Sequence, residues 1–257
     1  MRVCILGANG NCGRRLVAEA LERGHAVTAV VRAGTNSTAP QHDGLVVRSV
    51  SFDSSDALID VMKGQDVVIN AAGYLAGGAE FTALVARVVV AAQVALGAGG
   101  RFWCFGGIAM LDVPGRPLAT MDLPLLPTVF EPHRTNLAAL TASDLDWSML
   151  CPGPMIDSPD GSSTEGLQLS VDSWPATRAK GTRALPKIAL TVALKRAMPS
   201  FTIYYEDAAR VILDNLDRGG QFACSRVGVA LPAGHKRHKP SATMDAESLT
   251  RSAGVRS

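Results

Sequence analysis

The sequence predicts an α/β fold, a doubly wound and mostly parallel sheet with helices on both faces, and three observations carry that expectation. Short apolar runs alternate with helical patterns over most of the first 105 residues. Runs such as Ala26–Val31 are apolar nearly throughout and lack a helical period, as strands covered on both faces require. At the start, Val3–Leu6 breaks into Gly7, Gly10 and Gly13, and an amphipathic pattern follows through Leu16, Val17, Ala20 and Leu21.

Strand, tight turn and helix are therefore the reading of the opening stretch. Gly7 lets the chain turn sharply off the strand, Gly10 leaves room for a diphosphate, and Gly13 lets the helix pack closely on the strand. The N–H groups that open such a helix point at anionic oxygens. The first glycine gap is one residue longer than in G-x-G-x-x-G, and the competing reading is an ordinary glycine-rich turn. A Rossmann-type dinucleotide site is the expectation.

Ala26–Val31 reads as the second strand and ends at Arg32. An acidic residue at this position meets a ribose 2′-hydroxyl, whereas an arginine accommodates a 2′-phosphate, so Arg32, followed by Thr35, Asn36 and Ser37, favours NADP over NAD. A solvated loop arginine is the alternative. Leu45–Val50 reads as a third strand with Asp53 beyond its end, either capping the next element or meeting the adenine edge. A helix follows over Ser55–Met62, then a strand, Val67–Ile69, running into Asn70, Ala71, Ala72 and Gly73, whose small side chains let ribose and pyrophosphate pass close to the backbone. The long helix Ala79–Leu96 and a fifth strand, Arg101–Phe105, come next. Reversal of strand order after the third strand places a crevice at the carboxyl ends of the first and fourth strands.

From Met110 to Pro132 the chain is proline-rich and reads as a long surface loop of the kind that covers sites. A helix over His133–Ser143 and a strand over Asp146–Cys151 follow. The polar residues 155–183 read as a flexible insertion, weak helical period returns over Pro186–Met198, and Tyr205–Leu213 and Gln221–Ala230 read as the last helix and strand. The expected organisation is one dinucleotide-binding domain over residues 1–232, with covering insertions at 106–132 and 155–200 and a flexible tail over 233–257.

Composition narrows the setting. A chain of 257 residues that is 47% hydrophobic can bury a sizeable core, and a formal charge of +2 gives no electrostatic case for nucleic acid or membrane surfaces. Cys4, Cys12, Cys104, Cys151 and Cys224 show no paired spacing, read as reduced thiols, and imply no metal site. The first strand starts at residue 2, leaving no room for a signal peptide, and the apolar stretch Leu84–Leu96, broken by Arg87 and Gln93, reads as too short to span a bilayer. A cytoplasmic protein acting on a small-molecule substrate, or on a regulated protein partner, is expected.

With these residues in view, the chain resembles the atypical short-chain dehydrogenase/reductase superfamily, in the NAD(P)H-binding branch that includes NmrA-like proteins and biliverdin/flavin reductases. Gly7–Arg14, Arg32, Asp53, Ala71–Gly73, Ser143–Gly153 and Tyr204–Ala209 carry the resemblance, which spans residues 1 to about 230. It implies that Gly7, Asn9, Gly10, Asn11, Cys12, Gly13, Arg32, Asp53, Ala71, Ala72 and Gly73 surround NADP, with Cys151 and Pro152 near the nicotinamide. Cys12 reads as a packing or backbone contributor, because no partner base accompanies it.

The wider superfamily places a Tyr-x-x-x-Lys pair on the helix after the fifth strand. Here that stretch reads His133-Arg-Thr-Asn-Leu137 and both partners are missing. His133 is the candidate general acid, since an imidazole titrates near neutrality, with a helix-start or lid residue as the alternative. Hydride transfer to a flavin or quinone demands less proton handling than carbonyl reduction, so an NADP-dependent oxidoreductase is the first expectation. An NmrA-like protein that senses the dinucleotide without turnover is the second, and an epimerase of the extended branch the third.

Overall fold

The computed structural model describes residues 1–73, 78–126, 131–175 and 185–239. Its central sheet has eight strands in the order β3-β2-β1-β4-β5-β6-β10-β8, with β1 Arg2–Leu6, β2 Ala26–Arg32, β3 Leu45–Val50, β4 Val67–Asn70, β5 Arg101–Phe105, β6 Asp146–Cys151, β8 Gln168–Val171 and β10 Ser225–Ala230. Every neighbouring pair is parallel except β8 with β10. A small second sheet pairs β7 Met155–Ile156 with β9 Ile203–Tyr204.

Alternation along β1 divides the core. Val3 and Ile5 face one side, where α1 (Asn11–Glu22) and α6 (Tyr205–Leu213) pack, and Cys4 and Leu6 face the other, with α2 (Ser55–Met62), α3 (Gly78–Leu96), α4 (Glu131–Thr141) and α5 (Lys187–Phe201). All four residues of β4 are buried, which is why its sequence shows no alternation. The chain turns back across β1 between β3 and β4, so the carboxyl ends of β1 and β4 open onto the expected crevice.

Several boundaries differ from the sequence reading for identifiable reasons. α4 begins at Glu131 because Pro132 sits in the first turn, where a missing N–H costs nothing. α5 runs to Phe201 through Pro199 in its final turn. The last strand starts at Ser225, since Cys224 takes a left-handed backbone (φ 50°) and Phe222 enters the core from a turn. α3, at 19 residues, is long and apolar enough by length and composition to cross a bilayer, contrary to the expectation of a shorter segment; Val85, Val88, Val89, Ala91 and Ala92 on one face are buried in the fold.

The two covering stretches are tied to the sheet and to each other. Ile108, Met110, Leu111 and Val113 enter the core, and Arg226 on β10 reaches Asp112 (3.1 Å) in the first stretch and Asp172 (3.1 Å) in the second. The Asp112 amide donates to the Asp172 carbonyl (2.8 Å), and the Trp174 indole donates to Thr120. The tail is also held as far as Arg237, which pairs with the fully buried Asp207 (3.2 Å) and lies 3.3 Å over the Tyr204 ring. Residues 127–130 and 176–184 of the expected insertions and 240–257 of the expected tail lie outside the described residues.

A Cβ on Gly13 would overlap the Gly7 carbonyl oxygen and come within 2.9 Å of Ala8 Cα, so α1 has to lift from β1 to accept one. Gly13→Ala is expected to lower unfolding stability by about 2–3 kcal/mol, read from denaturant melts. An unchanged midpoint contradicts this packing.

Candidate functional site

A cleft of about 670 Å³ opens where the carboxyl ends of β1, β4 and β5 meet. One end is lined by Gly7, Asn9–Cys12, Val31, Arg32 and Thr35, the floor by Asn70–Gly73, Cys104 and Phe105, and the far wall by α3 and α4. Met155 and Tyr205 close it from the α6 side.

The glycine turn is built by sterics. Gly7 takes φ +75°, and a Cβ there would sit 2.6 Å from backbone atoms of Ala72, so the β1 and β4 ends approach each other only with glycine at this position. Gly7 N and Ala8 N both donate to the Val30 carbonyl (3.0 and 3.1 Å), fixing the turn against β2. Gly10 is the N-cap of α1 and offers no side-chain cap, and no acidic residue occupies the first turn. The first intrahelical bond runs from Arg14 N to Gly10 O (3.0 Å), so the amides of Asn11, Cys12 and Gly13 keep no partner within the helix. With the positive end of the helix dipole, this is an anion-accepting end.

The other expected dinucleotide residues divide into those in the cleft and those outside it. Arg32 is exposed on the rim at the end of β2 and makes no ion pair among the described residues, while Thr35 folds back to donate through Oγ1 to the Arg32 carbonyl (2.6 Å). Asn9 lines the cleft but spends its amide on the neighbouring loop, donating to Asn36 O (2.8 Å) and accepting from Thr38 N (3.1 Å). Gly13 packs beneath the turn and Asp53 points outward, 92% exposed, beside Arg87 (3.2 Å). Ser54 caps α2 by accepting from Ala57 N (3.2 Å), and Phe52 is the residue of that segment that reaches the cleft.

Cys151 and Pro152 are buried beside the cleft and do not line it. The Cys151 thiol donates to its own strand at Met149 O (3.4 Å), and the Pro152 carbonyl accepts from Ile108 N (2.8 Å). Burial pushes the Cys151 thiol up, and pushes that of Cys12 up to about 12, so both stay protonated near neutrality. Neither is an activated nucleophile. Among the described residues no group of three His, Cys, Asp or Glu side chains is arranged to hold a metal.

α4 supplies the polar part of the far wall. His133 stands edge-on to Phe81 (centroids 5.4 Å apart, 77°), its Nδ1 is buried without a hydrogen-bond partner among the described residues, and desolvation lowers its pKa. One turn on, Asn136 is 2% exposed, and among the described residues neither its amide oxygen nor its amide nitrogen has a partner. Each such group left unpaired in a buried setting costs about 1–3 kcal/mol. Leu137, where the wider superfamily has lysine, packs against the core.

Phe81, Asn136, Met155 and Tyr205 were missed as cleft residues by the sequence reading. Tyr205 had a signal, because it begins the aromatic and acidic start of α6; its hydroxyl accepts from Asn11 Nδ2 (3.3 Å), and Arg15 lies 5.6 Å from its ring centroid. Asn136 carried none, since one asparagine in a helix is unremarkable in sequence.

A mostly parallel sheet whose order reverses at a glycine turn with an open helix end defines a Rossmann-type protein. Residues 7–184 match the family described as NAD(P)H-binding, and the chain belongs to that family. It is 29% identical over 179 residues, 67% of this chain and 81% of the other, to the uncharacterized protein YwnB of Bacillus subtilis (strain 168). Among solved structures it is similar to a "putative epimerase" from Bacteroides thetaiotaomicron (24% identity, TM-score 0.69, covering 91% of this chain and 98% of the other). It is similar to a "putative NADH-flavin reductase" from Streptococcus pneumoniae TIGR4 (25%, 0.67, 90% and 99%). A wide-type short-chain dehydrogenase/reductase from Veillonella parvula DSM 2008, solved with NADP, shares the fold at 18% identity (0.65, 93% and 98%).

Because burial disfavours the imidazolium, the His133 ring is expected to titrate below the ordinary value of about 6.5 in an NMR pH series. The sign for stability follows: the unfolded chain takes up this proton first as pH falls, so stability present above about pH 6.5 is lost on acidification through the lowered folded pKa. A midpoint above 6.5 contradicts the desolvated site.

Proposed function

We propose that the protein is an NADPH-dependent reductase that delivers hydride to a small conjugated substrate held against α3 and α4. The observation that carries the cofactor choice is the Arg32 guanidinium on the cleft rim, free of any ion pair among the described residues. An arginine at the end of the second strand can accommodate a 2′-phosphate, which supports NADPH, and among the described residues no carboxylate lines the cleft to compete for it. The glycine turn and the open amides of α1 fit a diphosphate, and Ala71, Ala72 and Gly73 leave the β4 end clear for a ribose. Bound there, NADPH supplies a hydride.

The chain's own contribution is placement and dryness. Phe81, Leu84, Val85 and Phe105 make an apolar slot for a flat substrate, with His133 and Asn136 as its polar contacts. A neutral His133 donates a hydrogen bond to an oxygen or nitrogen that gains charge, while burial disfavours the imidazolium that a full proton transfer would need. With His133 and Leu137 where the wider superfamily has its tyrosine and lysine, that proton-donating pair is missing, and flavins or quinones suit the site better than simple ketones. The free cysteines, four buried and one exposed, suit a reducing compartment, and we place the protein in the cytoplasm.

The same departure from Tyr and Lys favours a second reading, an NmrA-like protein that binds the dinucleotide and signals its redox state to a partner. Turnover separates the two: NADPH oxidation in a screen of flavins, quinones and enones supports the reductase, and tight binding without oxidation supports the sensor.

Calorimetry tests the cofactor. NADPH is expected to bind at least about tenfold tighter than NADH, and Arg32→Glu to reverse the order, because the new carboxylate repels the 2′-phosphate and accepts from the 2′-hydroxyl. Tighter NADH binding by the unaltered protein contradicts the assignment.

A further inference from the structure

The polar atoms of Asn136 are the least explained feature of the molecule. The residue is 2% exposed, lines the cleft, and leaves both a donor and an acceptor without a partner among the described residues. Such groups are nearly always satisfied inside proteins, and two on one side chain mark a place where a ligand completes the hydrogen bonding. Nothing in the packing of α4 needs an amide here. Leu140, one turn on, is buried in the core, and Leu137 packs partly buried against it.

Resting on the dinucleotide reading above, we infer that Asn136 recognises an amide edge, a C=O beside an N–H, presented by a ligand in the cleft. A primary amide such as Asn pairs with that edge through two hydrogen bonds, its Nδ2–H donating to the carbonyl and its Oδ1 accepting from the N–H. A ligand with carbonyl oxygens alone satisfies only half of it. His133 Nδ1, one turn away on the same helix and also unpartnered, supplies a third polar contact beside this pair. Two sources carry an amide edge into such a site: the carboxamide of the nicotinamide and the lactam or imide edge of a heteroaromatic substrate. In both cases Asn136 is a specificity residue, setting what the cleft accepts; it takes no part in proton or hydride movement.

Binding measurements on the full chain separate the sources. The first arm compares NADP⁺ with its 3-acetylpyridine analogue, in which the amide nitrogen is replaced by a methyl group. The second compares riboflavin, which has an imide edge, with menadione, which has only carbonyls, on protein saturated with NADP⁺. Each is run on the unaltered protein and on Asn136→Leu, which keeps the shape and removes both polar atoms, with Asn136→Ala as a second variant. Asn136→Leu is expected to melt no lower than the unaltered protein, because it buries no unpaired group.

If the carboxamide is the occupant, the unaltered protein prefers NADP⁺ over the analogue by about tenfold or more, and the variants erase the preference. If the substrate edge is the occupant, the variants lose riboflavin by a similar factor and leave menadione unchanged. Variants that match the unaltered protein in both arms overturn the assignment of Asn136 while the dinucleotide reading stands. An unaltered protein that binds neither dinucleotide overturns both.

Discussion

The rest of the structure depends on how closely α1 is seated on β1. Gly7, in the left-handed region, lies against Ala72 at the end of β4, and Gly13 lies against the Gly7 carbonyl, so three backbone segments meet with no side chain between them. That contact aims the free amides of the helix end at the mouth of the cleft and leaves the end without a side-chain cap. A helix end capped by its own serine or aspartate would be more self-sufficient and less able to take an anion. The local cost of leaving it uncapped is the physical signature of a binding end.

Around that contact the fold supports the cleft with charge pairs drawn from distant parts of the chain. Arg15, one turn into α1, holds Glu206 of α6 (2.9 Å) and Asp157 after β7 (2.5 Å), and Glu206 accepts in turn from the Ser158 amide (3.3 Å). Residues 155–158 are thereby drawn toward the glycine turn. On β10, Arg226 joins both covering stretches, and at the start of α6 the buried Asp207 accepts from Tyr204 N (2.8 Å), Thr164 Oγ1 (3.0 Å) and Arg237 (3.2 Å). Removing one partner from a buried, multiply bonded carboxylate such as Asp207 leaves several donors unpaired, so these segments are fixed more firmly than their polar composition suggests.

This contrast explains what was legible in the sequence. Strands buried on both faces announce themselves as continuous apolar runs, and the glycines of the first turn have fixed geometric reasons for their spacing, so the order of elements through Phe105 was readable. The stretches 106–126 and 155–175 were not, because their order comes from Arg226, Arg15 and Asp207 reaching across many tens of residues, a pairing that periodicity cannot reveal. Within the cleft the same division holds. Gly7, Gly10, Arg32 and Ala71–Gly73 lie at strand ends that topology brings together, whereas Asp53 and Ser54 are neighbours that differ only in which way each side chain turns. Phe81, Asn136 and Met155 reach the cleft from helices and a short strand whose distance from β1 no local pattern encodes.

In the proposed reductase the cofactor's diphosphate sits against the amides of Asn11, Cys12 and Gly13. Gly10→Ala tests it most directly: its backbone (φ −69°) tolerates a side chain, and the new methyl, 3.1 Å from the Gly7 carbonyl, requires that neighbour to yield only by tenths of an ångström. Calorimetric titration of NADPH into the unaltered protein and into this variant, at matched melting temperature, is predicted to show a loss of affinity of about tenfold or more. Equal affinity in the two proteins contradicts a diphosphate at this turn.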